Sequence, residues 1–329
     1  MLLAGDIGGT TVRLALISPD RGPRNPLSER EYKSADYGGL EPVVAHFLQS
    51  AGDRPRSACF SVAGPVIDGR AHLTNLPWRL DEADLARNLG LARVDLLNDL
   101  ACMAHAAPYL DEGDMVVISA GAPTERGPIA LVAPGTGLGE AFVVWDGDRP
   151  VACASEGGHA DFAPNTPLQA DLLAFMRQRH GHVSYERVCS GSALPEVYEF
   201  LRLRTPDSES AEFRAKLEAA ADRSPIIVKA GLQDIETNPL AAQALSLFVE
   251  ILAAEASNMA LKILATGGVY LAGGMPDRVL PLLRRPAFMS AFMAKGRFSQ
   301  FLHDVPVKVV TINAALLGAS IHGLARAGI

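Results

Sequence analysis

The sequence lacks the cysteine spacing of a zinc site or of a thioredoxin-type redox centre. Its four cysteines, Cys59, Cys102, Cys153 and Cys189, are widely scattered, and no two have C-x-x-C spacing. Isolated cysteines of this kind are usually reduced thiols in the protein interior. We therefore expect a protein of the cytoplasm.

The sequence also lacks a long uninterrupted apolar run, because the Ala-rich segment 250–265 is broken by Glu255, Asn258 and Lys262. We therefore expect no membrane-spanning helix. The N-terminus begins almost directly on a strand pattern, without the charged region of a signal peptide. There is no low-complexity linker, so a hinge between domains would have to be short.

What is present is a chain of 329 residues, 48% hydrophobic and 20% charged, which is typical of a soluble globular protein. This length allows two domains of ordinary size. The net charge of −7 argues against nucleic acid or an anionic membrane as the main partner.

The first stretch of the chain predicts a β-hairpin, because two apolar runs, 2–7 and 12–17, flank Gly8 and Gly9. In Walker and Rossmann loops a helix follows the glycines, whereas here a second strand follows. Glycine tolerates positive φ and close approach, so such a turn could present N–H groups to a phosphate. An ordinary tight hairpin at a sheet edge is an equal alternative.

The same strand-turn-strand form returns around Gly135, Thr136 and Gly137, between strands predicted at 129–133 and 140–145. The rest of the chain reads as mixed α/β. Helices are predicted at 40–51, 82–89, 100–107, 240–264 and 314–325, and further strands at 31–35, 58–63, 66–73, 93–97, 115–119, 269–272 and 307–312.

Asn98 and Asp99 stand at the end of the predicted strand 93–97, where α/β sheets place their ligands. Asp99 could accept a proton from an alcohol that attacks a phosphoryl group. This role needs no raised pKa, because the hydroxyl loses its proton late. The alternative, favoured on this segment alone, is that either side chain caps the helix that begins at Leu100.

Glu156 and His159 flank two glycines, and such side chains could bind sugar hydroxyls. A metal site or a polar turn with a structural histidine are the alternatives. Glu186 is followed by Arg187, so a surface ion pair is its alternative role. Gly273 and Gly274 follow a buried strand, where a nucleoside could lie against the backbone, although an ordinary helix connection would look the same.

Together these segments resemble the superfamily of sugar kinases, hexokinases and actin-like ATPases, and more closely the bacterial glucokinases of the enterobacterial type. The matching segments run in the expected order along the chain. They are Gly5-Asp6-Ile7-Gly8-Gly9-Thr10, Asn98-Asp99, Gly135-Thr136-Gly137-Leu138-Gly139, the segment 156–165 that begins Glu-Gly-Gly-His, Glu186-Arg187-Val188 and Lys295-Gly296-Arg297-Phe298.

The resemblance implies an α/β, two-domain actin-like ATPase (ribonuclease H-like) fold with a cleft between the domains. We expect a small domain of residues 1–110 plus 313–329 and a large domain of residues 111–312. It also implies a glycolytic, cytoplasmic homodimer that binds neither nucleic acid nor membranes. The zinc motif of the related ROK proteins is absent, so no zinc is expected.

The implied reaction is ATP-dependent phosphorylation of glucose at its 6-hydroxyl, with Asp99 as the base and Mg²⁺ held by Asp6 through water. Asn98, Asp99, Glu156, His159 and Glu186 would bind glucose. The nucleotide would lie over Gly5, Asp6, Ile7, Gly8, Gly9, Thr10, Thr11, Gly135, Thr136, Gly137, Gly273 and Gly274.

Two positions depart from the family pattern: Thr11 replaces an asparagine of some members, and Ser192 replaces the proline of Ser-Gly-Pro. Other functions also stay open. They are another hexose or amino-sugar kinase, a sugar-responsive regulator, for which the chain leaves no room for an N-terminal DNA-binding motif, and a filament-forming ATPase, which would have no use for Glu156 and His159.

Overall fold

The computed structural model describes residues 1–52, 54–73, 76–205 and 208–327, which group by their internal contacts into two units. The first unit contains residues 1–110, 149–154 and 312–329, and the second contains residues 111–148 and 155–311. Residues 328 and 329 of the expected small domain lie outside the described residues.

The strands and α-helices alternate along much of the chain. The strands are β1 (Leu2–Ile7), β2 (Thr11–Ile17), β3 (Ser28–Lys33), β4 (Ser57–Val62), β5 (Val66–Ile67), β6 (Arg70–His72), β7 (Arg79–Asp81), β8 (Arg93–Asn98), β9 (Met115–Ser119), β10 (Ile129–Pro134), β11 (Leu138–Asp146), β12 (Arg149–Ser155), β13 (Gly268–Leu271) and β14 (Val307–Val310). The helices are α1 (Leu40–Ala51), α2 (Glu82–Leu89), α3 (Asp99–Ala106), α4 (Pro167–His180), α5 (Leu194–Arg204), α6 (Ala211–Glu218), α7 (Ser224–Gln233), α8 (Pro239–Ile263), α9 (Gly274–Arg278), α10 (Leu280–Leu283), α11 (Pro286–Met293), α12 (Ser299–Asp304) and α13 (Ala314–Arg326).

The main sheet of the first unit has the order β3-β2-β1-β4-β8. β1 and β2 form the predicted antiparallel hairpin, and β1, β4 and β8 run parallel. The register places Asp6 beside Ser61, and Val62 beside Asn98. The carboxyl ends of the three parallel strands therefore bring these residues to one edge of the sheet.

Helices cover both faces of this sheet. Leu2 and Ala4 of β1 pack with Ala315 and Ala319 of α13, whereas Leu3 packs into the core formed with α1 and α2. This follows from the alternation of side chains along a strand. On one face α3 and α13 approach so closely that a Cβ at Gly318 would overlap the carbonyl of Cys102.

In the second unit, neighbouring strands follow the order β11-β10-β13-β14-β9. β10 and β11 form the second predicted hairpin, and β13 pairs with β10 and β14 in parallel. Helix α8 is long and apolar enough to cross a membrane by composition, with mean hydropathy 1.4. However, 78% of its apolar window is buried inside the protein, so α8 is a core helix.

The structure differs from the predicted elements mainly at polar strands. β3 begins at Ser28, three residues before the predicted strand, because Ser-Glu-Arg-Glu-Tyr-Lys is a largely exposed sequence with a weak strand pattern. The single strand predicted at 66–73 is two short strands that reverse at Asp68 and Gly69, which have φ of 50° and 71°. β7, β12 and the short helices α9 to α12 have no counterpart in the predicted elements.

Candidate active site

Asp6 is held by hydrogen bonds from two other elements of the first unit. Ser61 Oγ donates to its Oδ1 at 3.1 Å, and Asn313 Nδ2 donates to its Oδ2 at 2.9 Å. Asn313 is itself fixed, because its Oδ1 accepts from the N–H of Leu316 and caps α13. Each carboxylate oxygen of Asp6 keeps a second lone pair for a water molecule.

The Asp6 carboxylate fits a water-mediated Mg²⁺ site. Among the described residues, no group of three or more His, Cys, Asp or Glu side chains is arranged to hold a metal ion. Mg²⁺ commonly relies on one or two carboxylates, substrate phosphates and several waters. One carboxylate whose oxygens already accept two hydrogen bonds suits this outer-sphere arrangement.

Asn98 is the N-cap of α3, as the alternative interpretation of this segment predicts. Its Oδ1 accepts from the N–H groups of Leu100 and Ala101, at 2.9 and 3.3 Å. Its Nδ2 donates to the carbonyl of Gly64 at 3.1 Å. The cap does not exclude sugar binding, because the amide nitrogen carries a second N–H.

Asp99 is the first residue of α3 and is partly buried. Its Oδ1 accepts from the N–H of Leu100 at 2.9 Å. Burial raises the pKa of Asp99 to about 6, the charge of Asp6 adds to this, and the hydrogen bond from Leu100 opposes it. Near pH 7 the group is mostly ionised, so it can accept a proton.

The turn between β1 and β2 uses its glycines differently from the expectation. Neither Gly8 nor Gly9 has a positive φ. The turn is closed by the N–H of Gly8, which donates to the carbonyl of Thr11 at 2.9 Å. Gly5 provides close packing, because a Cβ there would lie 2.6 Å from the ring of Phe60.

In the second unit, Glu156, His159 and Glu186 lie close together. His159 Nε2 lies 3.9 Å from Glu156 Oε2, and His159 Nδ1 lies 3.9 Å from Glu186 Oε1. The side chains of Glu156 and His159 are 77% and 60% exposed. We call residues 156–159 the Glu–His turn.

Glu186 joins the Glu–His turn to the turn between β10 and β11. Its N–H donates to the carbonyl of Gly158 at 2.9 Å, and its Oε2 accepts from the N–H of Leu138 at 2.9 Å. A Cβ at Gly158 would overlap the Leu138 carbonyl, and one at Gly137 would overlap the Glu186 carboxylate. The glycines therefore permit three segments to meet without side chains between them.

A cavity of about 490 Å³ lies beside the turn between β10 and β11. The hydroxyl of Ser192 donates to the carbonyl of Thr136 at 2.8 Å, so the serine that departs from the family pattern holds this turn. Gly273 has φ of 81°, and a Cβ there would lie 2.9 Å from the carbonyl of Pro134. The cavity is lined by Gly135, Thr136, Gly191, Ser192, Asp222, Ser224, Gly274, Met275 and Arg278.

A larger cavity, of about 780 Å³, lies in the first unit between β5–β7 and α2. None of the predicted site residues lines it.

Sequence reasoning missed the residues that hold or surround the predicted ones. Ser61 and Asn313 fix Asp6, and Asp222, Ser224 and Arg278 line the smaller cavity. The N-cap role of Asn313 could have been predicted, since Asn313 directly precedes the helix predicted at 314–325. Nothing local in the sequence connects Asp222 or Arg278 with this cavity.

Comparison with known proteins identifies relatives over the whole chain. The model of the Glucokinase family matches residues 3–325. A glucokinase of Nostoc sp. is 38% identical over 98% of both chains, and one of Shigella dysenteriae is 35% identical over 97% of this chain and 96% of its own. The crystal structure of a glucokinase from an Antarctic psychrotroph has a TM-score of 0.82 and 33% identity, and covers 98% of each chain.

Proposed function

The chain belongs to the glucokinase family and has the α/β sugar kinase fold expected for it, and from that premise we propose a specific reaction. The enzyme transfers the γ-phosphoryl group of ATP to the 6-hydroxyl of glucose, which gives glucose 6-phosphate and ADP. The observation that carries this proposal is the position of Asp99. This partly buried carboxylate is the first residue of α3 and directly follows β8, at the edge of the sheet where Asp6 also lies.

Asp99 acts as the general base. Its oxygens receive the proton of the sugar hydroxyl as the bond from the hydroxyl oxygen to phosphorus forms. The hydrogen bonds of Asn98 to α3 and to Gly64 fix the backbone on which Asp99 stands. A base held in place before the substrate binds loses little entropy in the reaction.

Glucose is bound by Asn98, Asp99, Glu156, His159 and Glu186. Carboxylate oxygens accept hydrogen bonds from sugar hydroxyls, whereas the Asn98 amide N–H can donate to one. Glu156 and His159 are largely exposed, so their polar atoms are accessible to a ligand. Glu186 also anchors the turn between β10 and β11 through Leu138.

ATP is bound by the two hairpin turns, residues 5–11 and 135–137, and by Gly273 and Gly274. The cavity of about 490 Å³ beside Gly135 and Gly274 has room for the adenosine. Asp6 would hold Mg²⁺ through water. When bound, this ion offsets negative charge on the phosphates during transfer.

We also propose that the chain has two kinase domains, of residues 1–110 plus 313–329 and of residues 111–312, which differ from the two units at residues 149–154 and 312. We propose in addition that the enzyme is a cytoplasmic homodimer. The free cysteines Cys59, Cys102, Cys153 and Cys189 suit a reducing compartment. Sedimentation analysis of the purified protein tests the dimer, because a single species of monomer mass would contradict it.

The test of the proposed function compares wild type with Asp99→Asn in an assay that couples ADP release to a colour change. We expect kcat to fall roughly 10²- to 10⁴-fold, the usual contribution of a general base. Asp84→Asn is the matched control, since Asp84 also lies in the first turn of a helix but is exposed. Near-full activity of Asp99→Asn would remove Asp99 from the mechanism.

A panel of glucose, mannose, fructose and N-acetylated sugars, compared by kcat/KM, tests the substrate. A clear preference for glucose supports the proposal. Preference for another hexose or an amino sugar would give the enzyme a different substrate, and absence of turnover with every sugar would support a regulator.

A further inference from the structure

Glu140 is a fully buried acid that the proposed mechanism leaves without a role. It lies in β11 and pairs with Val132 of β10. Within the described part of the chain, neither carboxyl oxygen of Glu140 has a hydrogen-bond partner. An ionised carboxylate is unfavourable in such a place, so Glu140 must keep its proton or share its charge with a bound cation.

Glu255 of α8 is a second fully buried carboxyl, and it lies close enough to Glu140 for its charge to affect the pKa of Glu140. Glu255 has donors, with Asn258 Nδ2 2.8 Å from its Oε2 and Lys262 Nζ 3.4 Å from its Oε1. Burial raises the pKa of Glu140 to about 8, the charge of Glu255 adds to this, and Lys262 opposes it. A neutral Glu140 can donate its proton to the Glu255 carboxylate, which gives it a partner.

The carboxyl group of Glu140 lies against the backbone of the Glu–His turn. A methyl group at Gly157 would overlap Glu140 Oε2, so the bare glycine packs directly on the acid. Gly157 stands between Glu156 and His159 in the chain. A displacement of the Glu140 carboxyl toward this backbone would therefore shift both of these side chains.

The buried carboxyls are also connected to the residue that follows the Glu–His turn. Asn258 Nδ2 donates to the hydroxyl of Tyr185 at 2.9 Å, and the N–H of Tyr185 donates to the carbonyl of Ala160 at 3.0 Å. Lys295 Nζ donates to Asn258 Oδ1 at 2.5 Å, so the lysine of segment 295–298 belongs to this network. The turn is thus supported on two sides by one buried polar network.

Two neighbouring groups of the carboxyl pair stay neutral near neutral pH. Burial raises the pKa of the Tyr185 hydroxyl and of the Cys189 thiol, and the charge of Glu255 adds to both effects, so both groups are neutral. The titratable groups that face the pair of Glu140 and Glu255 are Lys262 of α8, Tyr185 and Cys189 from the segment after the Glu–His turn, and Lys295.

We propose that Glu140 is a positioning residue for sugar binding: as a neutral acid paired with Glu255 it supports the Glu–His turn, and its ionisation in alkaline solution weakens glucose binding. Ionisation would leave two negative carboxyls together in the interior. Their repulsion drives Glu140 toward Gly157 and displaces the turn. The inference rests on the proposed function, because it assigns glucose to Glu156 and His159.

The test measures KM for glucose and kcat from about pH 6.5 to about pH 9.5 in wild type and in Glu140→Gln. Glutamine has nearly the same shape and can donate to Glu255, but it cannot ionise. In wild type we expect KM to rise up to about tenfold at about pH 9, with little change in kcat. In Glu140→Gln we expect KM to stay flat at the neutral wild-type value.

Glu250→Gln is the matched control, because Glu250 is a partly buried glutamate of α8 whose pKa is also raised by burial. Its KM profile should follow that of wild type. The same alkaline rise of KM in Glu140→Gln would overturn the proposal. So would a profile that changes when Na⁺ and K⁺ are replaced by tetramethylammonium, since a cation would then balance the pair.

A measurement without substrate separates this inference from the proposed function. The folded state holds a proton on Glu140 between about pH 4.5 and about pH 8 that the unfolded chain has lost, so stability should fall as pH rises through this range. Glu140→Gln should remove that part of the fall in melting temperature. If Glu140→Gln has this effect but the protein does not phosphorylate glucose, Glu140 is a neutral acid and glucose is not the substrate. If the melting temperatures of wild type and Glu140→Gln change with pH in the same way, Glu140 is not a neutral acid in the folded protein.

Discussion

The first unit and the Glu–His turn of the second unit hold their candidate site residues in opposite ways. In the first unit the side chains themselves are tied down: Asp6 accepts hydrogen bonds from Ser61 and Asn313, and Asn98 both caps α3 and anchors Gly64. These bonds join strand, loop and helix. The functional atoms of the first unit are therefore fixed before a substrate binds.

In the Glu–His turn of the second unit the backbone is fixed and the side chains are exposed, whereas the neighbouring Glu186 accepts a hydrogen bond from the N–H of Leu138. Close contacts of Gly157 and Gly158 with β11 hold the Glu–His turn, whereas Glu156 and His159 extend 3.9 Å apart into solvent. The difference matches the proposed roles. A general base needs a fixed position and must be ionised before it can accept a proton, whereas sugar-binding side chains can adjust to their ligand.

After the loss of Asp99 itself, the largest effect should follow from a break in the backbone support of the second unit. In Gly158→Ala the new methyl group would overlap the carbonyl of Leu138, which as backbone cannot move aside easily. We expect the Glu–His turn to shift and kcat/KM for glucose to fall roughly 10²-fold, as misplacement by about 1 Å can cause. Steady-state kinetics measures this, and circular dichroism verifies folding.

Gly113→Ala is the control for that substitution, because Gly113 lies in the same unit, has no atom within 4 Å of an added Cβ and has no positive φ. It should behave as wild type. An unchanged kcat/KM in a folded Gly158→Ala protein would show that the glycine contact does not position the turn.

The pattern of the main elements could be predicted because each depends on neighbouring residues. The hairpin of β1 and β2, helix α1 with its apolar face and helix α2 with its cap Asp81 all follow from short-range periodicity and capping. β12 did not follow, because Arg-Pro-Val-Ala-Cys-Ala-Ser contains a proline and small side chains that give no clear strand signal.

The candidate site could be predicted where its residues lie close together in the sequence. Asn98 next to Asp99 and Glu156 near His159 are of this kind. The partners of Asp6 are 55 and 307 positions away in the chain, so only the fold brings them together. The burial of Glu140 likewise depends on α8, and an acid after a glycine turn would otherwise be expected to face solvent.

The next effect tests whether the surroundings of Asp99 in the first unit determine the pH at which this carboxylate loses its charge. Because the pKa of Asp99 is about 6, kcat/KM for glucose should fall about tenfold for each pH unit below that value, as the carboxylate becomes protonated. Asp84→Asn should show the same acid limb. The residual activity of Asp99→Asn should lack it, and a limb at the same pH in Asp99→Asn would assign the titration to another group.

The smallest effect concerns the contact between the far ends of α3 and α13, which carry Asp99 and Asn313 at their other ends. His105 Nε2 and His322 Nδ1 lie 3.1 Å apart, and burial lowers the pKa of His105 to about 4, with a smaller contribution from His322. The unfolded chain therefore binds more protons than the folded one between about pH 6.5 and about pH 4, so stability falls as pH falls.

Asp99 has the opposite effect on stability in the same pH range. Its raised pKa lets the folded state bind the extra proton, so part of the loss from His105 is offset. Between about pH 6.5 and about pH 4.5 we expect the change in melting temperature of His105→Gln to be more favourable than that of wild type by a few degrees, and that of Asp99→Asn to be less favourable. His303→Gln, at an exposed histidine of α12, should match wild type. Parallel curves for all four proteins would contradict both the lowered pKa of His105 and the raised pKa of Asp99.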